Sequence, residues 1–369
     1  MKILHIGKYY PPYFGGIEKV NFDLVEGLNE AVVVTDVICF NNKYKTVVEK
    51  GKYSIFRMSR ITEIFSVPFS LSYYIKLLFI VNNYDIVHLH LPNPSAAISL
   101  LLTNFKGKII LHWHSDVIKQ KFFKKIYSPF DNFLKGKAKI IIVTSKNYLD
   151  NSKDLRNYKE KCEVITLGID NSEFISDNSF FKELKNEYKR KKIIFSLGRL
   201  TYYKGFDYLI DAAKELKDDT LILLGGTGEL YSDLKNQIKN ADLQDKIRLL
   251  GKIPFNQLES YFKLADIFCL PSVHKTEAFG VVLIEAMSLG CPQIVFNIKG
   301  SGVPWVVENN KTGLVVESID SRLLAKKLNL LISNNDLLEE LSNQSIKMYN
   351  VLFKKEEMIS KTLELYNKI

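Results

Sequence analysis

Cysteine is scarce in this chain of 369 residues: four, at 39, 162, 269 and 291, with no C-x-x-C pair and no Cys/His ladder. That excludes a disulfide-stapled fold and a thiolate metal knuckle, and reads as free thiols in a reducing compartment. No uncharged apolar run reaches the ~18 residues that a spanning helix needs. The nearest, SVPFSLSYYIKLLFIV, is interrupted by Lys76. The opening MKILHIG leads straight into a strand pattern without a small-residue cleavage site, so no secretory leader is expected. Both halves lack G-x-G-x-x-G, which disfavours a dinucleotide cofactor. GGTGELY comes nearest, but Tyr231 stands where glycine or alanine is wanted. An Asp-x-Asp clamp for a metal–diphosphate is missing too, since DNSEFISD and KDD read as linker and helix-end acids.

The first half also lacks acid. Residues 1–168 hold 24 Lys+Arg against 14 Asp+Glu, whereas residues 169–369 hold 27 of each, so the net charge of +10 belongs to the first half alone. A one-sided basic balance implies an anionic partner: membrane headgroups, nucleic acid or a phosphorylated substrate. The hydrophobic fraction of 46% with 25% charged residues is that of a folded chain. Its length exceeds one ordinary core, so two domains are expected.

Short apolar runs alternate with longer amphipathic stretches. KILHIG, AVVVTDVICF, DIVHLH, KIILHWH, KIIIVTS and CEVITLG come first; KIIFSLG, TLILLGG, KIRLLG, DIFCLPS, CPQIVFN and GLVVES follow. Continuous Val/Ile/Leu runs that end in Gly, Ser or His are the pattern of parallel strands covered on both faces. The fold class is therefore α/β, two doubly wound parallel sheets. The pattern restarts after the charged stretch 171–190, which predicts domains at 1–170 and 191–350 joined by a linker. A C-terminal helix over 351–369 is expected to pack back toward the first domain.

Ligands of such sheets bind beyond the carboxyl ends of the strands. After the first strand, Gly15-Gly16 precede a helix and let backbone amides approach a phosphate, although a plain turn fits equally. In GRLTYYKGFDYLI, Arg199 and Lys204 flank a strand-to-helix loop. Two cations beside a helix start suit a diphosphate, and the same spacing fits solvated surface charges. In EAFGVVLIEA, Glu277 precedes a helix that begins near Gly280, and Glu285 lies inside it. Phe279, Gly280 and Val281 would present free amides, and carboxylates so placed suit sugar hydroxyls and a ribose. The alternative is a capping glutamate and a surface one. His88 with His90, and His112 with His114, share strand faces. Zinc is conceivable there, but no third strand supplies a ligand, and His114, before Ser115-Asp116, is best placed to reach a substrate. Residues 117–139 carry seven lysines, one acid and five aromatics. That is the pattern of a helix on an anionic bilayer, or of a core-facing stripe with solvated lysines. No nucleic-acid module appears.

Taken together, GRLTYYKGFDYLI, ADIFCLPSVHKTEAFGVVLIEAMSLGCP and NKTGLVV, with GKYYPPYFGGIEKV and VTSKNYLD, resemble the retaining glycosyltransferases of family four, of the GT-B fold, in which two Rossmann-like domains face a central cleft. The likeness runs over nearly the whole chain, and SVHKTEAFG looks most like bacterial mannosyl- and rhamnosyltransferases of surface-polysaccharide assembly. The resemblance implies a nucleotide-sugar donor, GDP-mannose favoured, no cofactor, no metal, and a glycan or lipid-diphosphate-linked acceptor. It places Arg199, Lys204 and the amides at 279–281 on the donor diphosphate, Glu277 on the transferred sugar and Glu285 on the ribose. Gly15 and Gly16 would touch the sugar-phosphate, His114 would lie near the reacting centre, and LLGKIP (249–254) would pass the base edge. Residues 225–231 depart from the acidic-glycine-proline form usual in the family, which puts a direct ligand role there in doubt. A cytoplasmic enzyme, peripheral on the inner face of the membrane, follows as an expectation. The rival readings are a sugar-nucleotide 2-epimerase of the same architecture, or a UDP-dependent glucosyl- or N-acetylhexosaminyltransferase.

Overall fold

The computed structural model describes residues 1–13, 15–64, 67–116, 121–174 and 177–369; over 121–127 it describes the backbone. The chain divides into two compact units, Met1–Gly168 with Lys355–Ile369, and Ile169–Lys354.

The first unit holds β1 (Lys2–Ile6), β2 (Val34–Phe40), β3 (Val47–Lys50), β4 (Ser54–Met58), a separate hairpin of β5 (Thr62–Ile64) and β6 (Val67–Phe69), then β7 (Ile86–Leu91), β8 (Lys108–Trp113), β9 (Ile140–Val143) and β10 (Cys162–Val164). Its sheet runs β10-β9-β8-β7-β1-β2-β4-β3, parallel except at β3–β4. The strands form because their apolar runs are buried on both faces: all six residues of β7 are inaccessible, as are five of six in β8.

The second unit holds β11 (Lys192–Leu197), β12 (Thr220–Gly225), β13 (Ile247–Gly251), β14 (Ile267–Leu270), β15 (Gln293–Phe296) and β16 (Gly313–Val316), ordered β13-β12-β11-β14-β15-β16 and wholly parallel. That order reverses direction on either side of β11, between β12 and β14. The crevice beyond those strand ends is where such sheets take ligands. Both the Arg199/Lys204 loop, after β11, and the Glu277 loop, after β14, open there.

Two expectations about boundaries need correction. Residues 171–190 are not a free linker but part of the second unit. Asp177 caps helix Asn178–Glu187 by accepting from Phe180 N at 3.0 Å, Leu184 is buried, and Phe180 meets Tyr261 edge-on. Glu187 pairs with Arg248. The many charges there are the wet face of an amphipathic helix. The second unit also extends to Lys354, through helix Asn335–Leu352 and the buried Phe353 that packs on Phe279 and Trp305.

The final helix, Lys355–Lys368, belongs to the first unit. It lies on helix Gly16–Glu30, where Gly27 admits the Ile359 side chain; a Cβ on Gly27 would collide with it. The added segment brings equal numbers of each charge, so the first unit keeps the net +10.

Candidate active site

The second unit brings the Arg199/Lys204 loop and the Glu277 loop together. Strand β11 ends at Leu197, and the chain passes through Gly198 and Arg199 into a short 3-10 turn, Tyr202–Lys204. Gly205 then takes φ +63°, and a Cβ there would strike Pro271 O at the end of β14. Only glycine lets the two loops approach so closely. Val273 N donates to Tyr203 O at 2.9 Å across the same seam.

This seam sets Lys204 against Glu277, 73 residues away. Lys204 Nζ lies 2.5 Å from Glu277 Oε2, with the side chains 10% and 11% exposed. Ser272, at the end of β14, donates its hydroxyl to the same Oε2 at 3.0 Å. Among the described residues both of these contacts fall on Oε2 and none on Oε1. The Glu277 backbone is fixed as well: its N–H donates to His274 O at 3.0 Å, its carbonyl accepts from the Ser301 hydroxyl, and Gly302 N donates to Ala278 O at 2.7 Å. Ser272 and Ser301 were not singled out in the sequence. The signal for Ser272 was its place at a strand end, five residues before a glutamate; Ser301 had none, because its contact comes from another loop.

Helix Val281–Ser288 follows, entered through Gly280 at φ +81° with no side-chain cap. Among the described residues the N–H groups of Phe279, Gly280 and Val281 find no acceptor. Phe279 is buried against Trp305 and Phe353, which holds this helix start rigid. Glu285 is half-buried inside the helix. Arg199 is exposed and has no ion pair among the described residues. A paired ammonium, an unpaired guanidinium and a bare helix start are a binding set for a dianionic phosphate, with carboxylates beside it for hydroxyls.

The glycines of 225–231 have a structural reason. Gly226 at φ +132° abuts Gly198 O, and Gly228 abuts the Leu200 backbone. Leu200 N donates to Thr227 O at 3.0 Å, and Leu230 N to Leu200 O at 3.1 Å. This loop buttresses the Arg199 loop.

In the first unit Gly15 is an extended N-cap without side-chain capping, and Gly16 opens helix Gly16–Glu30. His114, just past β8, is 7% exposed, and burial lowers its pKa to about 3, so the ring is neutral near pH 7. Of the basic segment 117–139, residues 117–120 lie outside the described residues, and 121–137 are helical. Phe130 and Phe133 are exposed, as a membrane-facing reading requires. Lys135 is not at the surface: it is 2% exposed, pairs with Asp131 at 2.9 Å, donates to Asp154 O and sits over Trp113. Among the described residues no helix is long and apolar enough to cross a membrane.

Residues 14–173 match the family profile described as Glycosyltransferase Family 4, and residues 177–348 that of Glycosyl transferases group 1. The chain belongs to the family-four glycosyltransferases. Its fold is GT-B. It is similar to O-antigen chain mannosyltransferase C of Escherichia coli, 27% identical over 99% of this chain and 98% of the relative. It is also similar to D-rhamnosyltransferase WbpZ of Pseudomonas aeruginosa, 28% identical over 96% and 92%. Among solved structures, Anabaena HepE in complex with UDP and glucose superposes with a TM-score of 0.83 at 18% identity over the whole of both chains.

Proposed function

We propose that this glycosyltransferase is a retaining hexosyltransferase. It moves mannose or rhamnose from a nucleotide sugar, GDP-mannose favoured, to a glycan or lipid-diphosphate-linked acceptor of a bacterial surface polysaccharide. The observation that carries the reading is the 2.5 Å pair between Lys204 and Glu277, set beside the uncapped helix start at Gly280. The two full-length relatives named above support the sugar class.

In this reading Arg199, Lys204 and the amides of Phe279, Gly280 and Val281 hold the donor diphosphate. They stabilise the charge that grows on it as the glycosidic bond breaks, the electrostatic contribution that is usually the largest. Lys204 has three donors, so it reaches the phosphate without abandoning Glu277. Glu277 accepts a hydroxyl of the transferred sugar through Oε1, and Glu285 serves the ribose. The acceptor hydroxyl attacks from the face that the diphosphate leaves, and the diphosphate takes its proton. His114 and Gly15-Gly16 of the first unit serve the acceptor and the sugar-phosphate. The diphosphate itself is held without a bridging cation.

The first unit, with all of the +10, takes the anionic acceptor at the inner membrane surface. Phe130 and Phe133 support this, as do Leu71, Ile75, Leu78 and Phe79, exposed along helix Leu71–Ile80. Flotation with anionic vesicles is expected at low salt and its loss at high salt; no binding at low salt refutes the membrane claim.

The test of the chemistry is GDP-mannose turnover with and without a lipid-diphosphate glycan. Transfer that needs the acceptor supports the proposal. Conversion of the sugar nucleotide alone supports a 2-epimerase, and turnover confined to UDP-sugars refutes the donor assignment.

A further inference from the structure

Five of the six histidines of the chain lie together on one face of the first unit's sheet. Register makes them neighbours. His5 of β1 sits opposite His88 of β7, and His90 of β7 opposite His112 of β8. His114 follows two residues on from His112, hence on the same face. The third strand missing from the sequence pattern is β1, which supplies His5. All five are at most 7% exposed. Among the described residues their rings hydrogen bond to one another, to Asn21 and to Tyr366 of the final helix.

A neutral imidazole carries one N–H and one lone pair, the form that binds metals. Donors and acceptors can then be assigned around the cluster. His5 Nδ1 donates to Asn21 Oδ1 at 3.0 Å and also faces His90 Nε2 at 3.2 Å. His5 Nε2 is then the lone pair, which accepts from the Tyr366 hydroxyl at 3.2 Å, and the Tyr366 oxygen accepts from His88 Nδ1–H at 2.5 Å. His88 Nε2 accepts from His112 Nδ1–H at 3.2 Å, and His90 Nδ1–H donates to His114 Nε2 at 3.0 Å. The lone pair left over is His112 Nε2, which is buried with no partner among the described residues.

We propose that His90, His112 and His114 form a site for a divalent late transition-metal ion, with zinc the best match and a fourth position open to water. Each of the three residues offers a ligand atom within 4.8 Å of the other two. Three such points share a centre within about 2.8 Å of each, against a Zn–N bond of about 2.0–2.1 Å, and the rings of His112 and His114, 15° from parallel, turn as well as shift to aim their lone pairs at it. Two nitrogens on a tetrahedral zinc stand roughly 3.3 Å apart, near the 3.0 Å found between His90 and His114. His5, His88 and Tyr366 are the outer partners that fix ring orientation and tautomer. The overlapping set His5, His88 and His90 also meets the distance condition, but its nitrogens are already engaged by Tyr366 and Asn21. Zinc on His114 Nε2 leaves Nδ1–H to face an acceptor. The site is independent of the donor assignment, since none of Arg199, Lys204, Glu277 or Glu285 takes part.

The experiment is metal analysis of the untagged full-length chain, followed by cobalt substitution. One zinc per chain should survive gel filtration, and the cobalt form should show the strong visible bands of a four-coordinate site. Both should be lost in His112→Asn and kept in His274→Asn, the sixth histidine. Tyr366→Phe should weaken zinc binding roughly 10–100-fold. Should His112→Asn fail to fold, His90→Asn takes its place, and the wild-type chain decides alone if both fail. A wild-type chain that neither retains zinc nor gains thermal stability from micromolar zinc overturns the proposal. So does zinc that stays bound in both variants, or a weak octahedral cobalt spectrum.

Discussion

Replacing Lys204 by alanine separates two consequences of the same contact. In the protein the ammonium sits 2.5 Å from Glu277, and both side chains are only about one-tenth exposed. Its removal strands a carboxylate that keeps one protein donor, the Ser272 hydroxyl at 3.0 Å. Breaking a fully buried pair costs ~3–5 kcal/mol. The remaining exposure and the Ser272 bond bring this to about 2 kcal/mol, within the range for an under-satisfied buried charge. The catalytic loss is separate. One donor removed from a developing oxyanion lowers turnover by roughly 10²–10³, or ~2.7–4 kcal/mol. Adding Glu277→Gln to Lys204→Ala removes the stranded charge, so urea denaturation should recover most of the lost stability while turnover stays low. The assay is paired: the unfolding midpoint, and initial rates with GDP-mannose and acceptor. Near-normal turnover in Lys204→Ala would refute the diphosphate role. Turnover that recovers together with stability in the double variant would show that the pair serves the fold alone.

Three other perturbations follow from the same geometry. Arg199→Ala removes an exposed cation, so stability should hold within ~0.5 kcal/mol while the donor KM rises and kcat/KM falls at least tenfold; an unchanged KM would place Arg199 outside the donor site. Gly205→Ala forces a left-handed residue and drives a Cβ into Pro271 O, and should destabilise the second unit by roughly 2–4 kcal/mol in chemical denaturation, with transfer lost because Lys204 shifts. Gly27→Ala should cost ~1–3 kcal/mol through its collision with Ile359, and Ile359→Ala on top should recover part of it; strictly additive losses would contradict the packing of the final helix on Gly16–Glu30.

Much of the architecture was legible because parallel buried strands leave continuous apolar runs, and β7, β8, β12 and β14 read as such. The loops after β11 and β14 were legible for a related reason: an Arg and Lys, and a Glu before a glycine, follow strands that end in small residues. What pattern could not show was pairing at a distance. Nothing local says that Lys204 meets Glu277, since that contact depends on β11 and β14 being neighbours and on Gly205 letting their loops close. His5 looked like an ordinary strand residue until register set it beside His88. Composition misled twice. The charges of 171–190 suggested a linker, although Phe180 and Leu184 are enough to anchor a helix. Lys135 counted as one of seven surface lysines, although Asp131, the Asp154 carbonyl and the Trp113 ring bury it.

The central claim is that the Arg199 loop and the helix start at Gly280 grip a nucleoside diphosphate while Glu277 grips the sugar. A crystal structure with GDP-mannose tests it most directly. The claim predicts phosphate oxygens within hydrogen-bond reach of Lys204 Nζ, of the Arg199 guanidinium and of at least one amide among Phe279, Gly280 and Val281, with a sugar hydroxyl on Glu277 Oε1. A nucleotide bound elsewhere, with Lys204 and Glu277 still closed on each other and the helix start facing solvent, would contradict it.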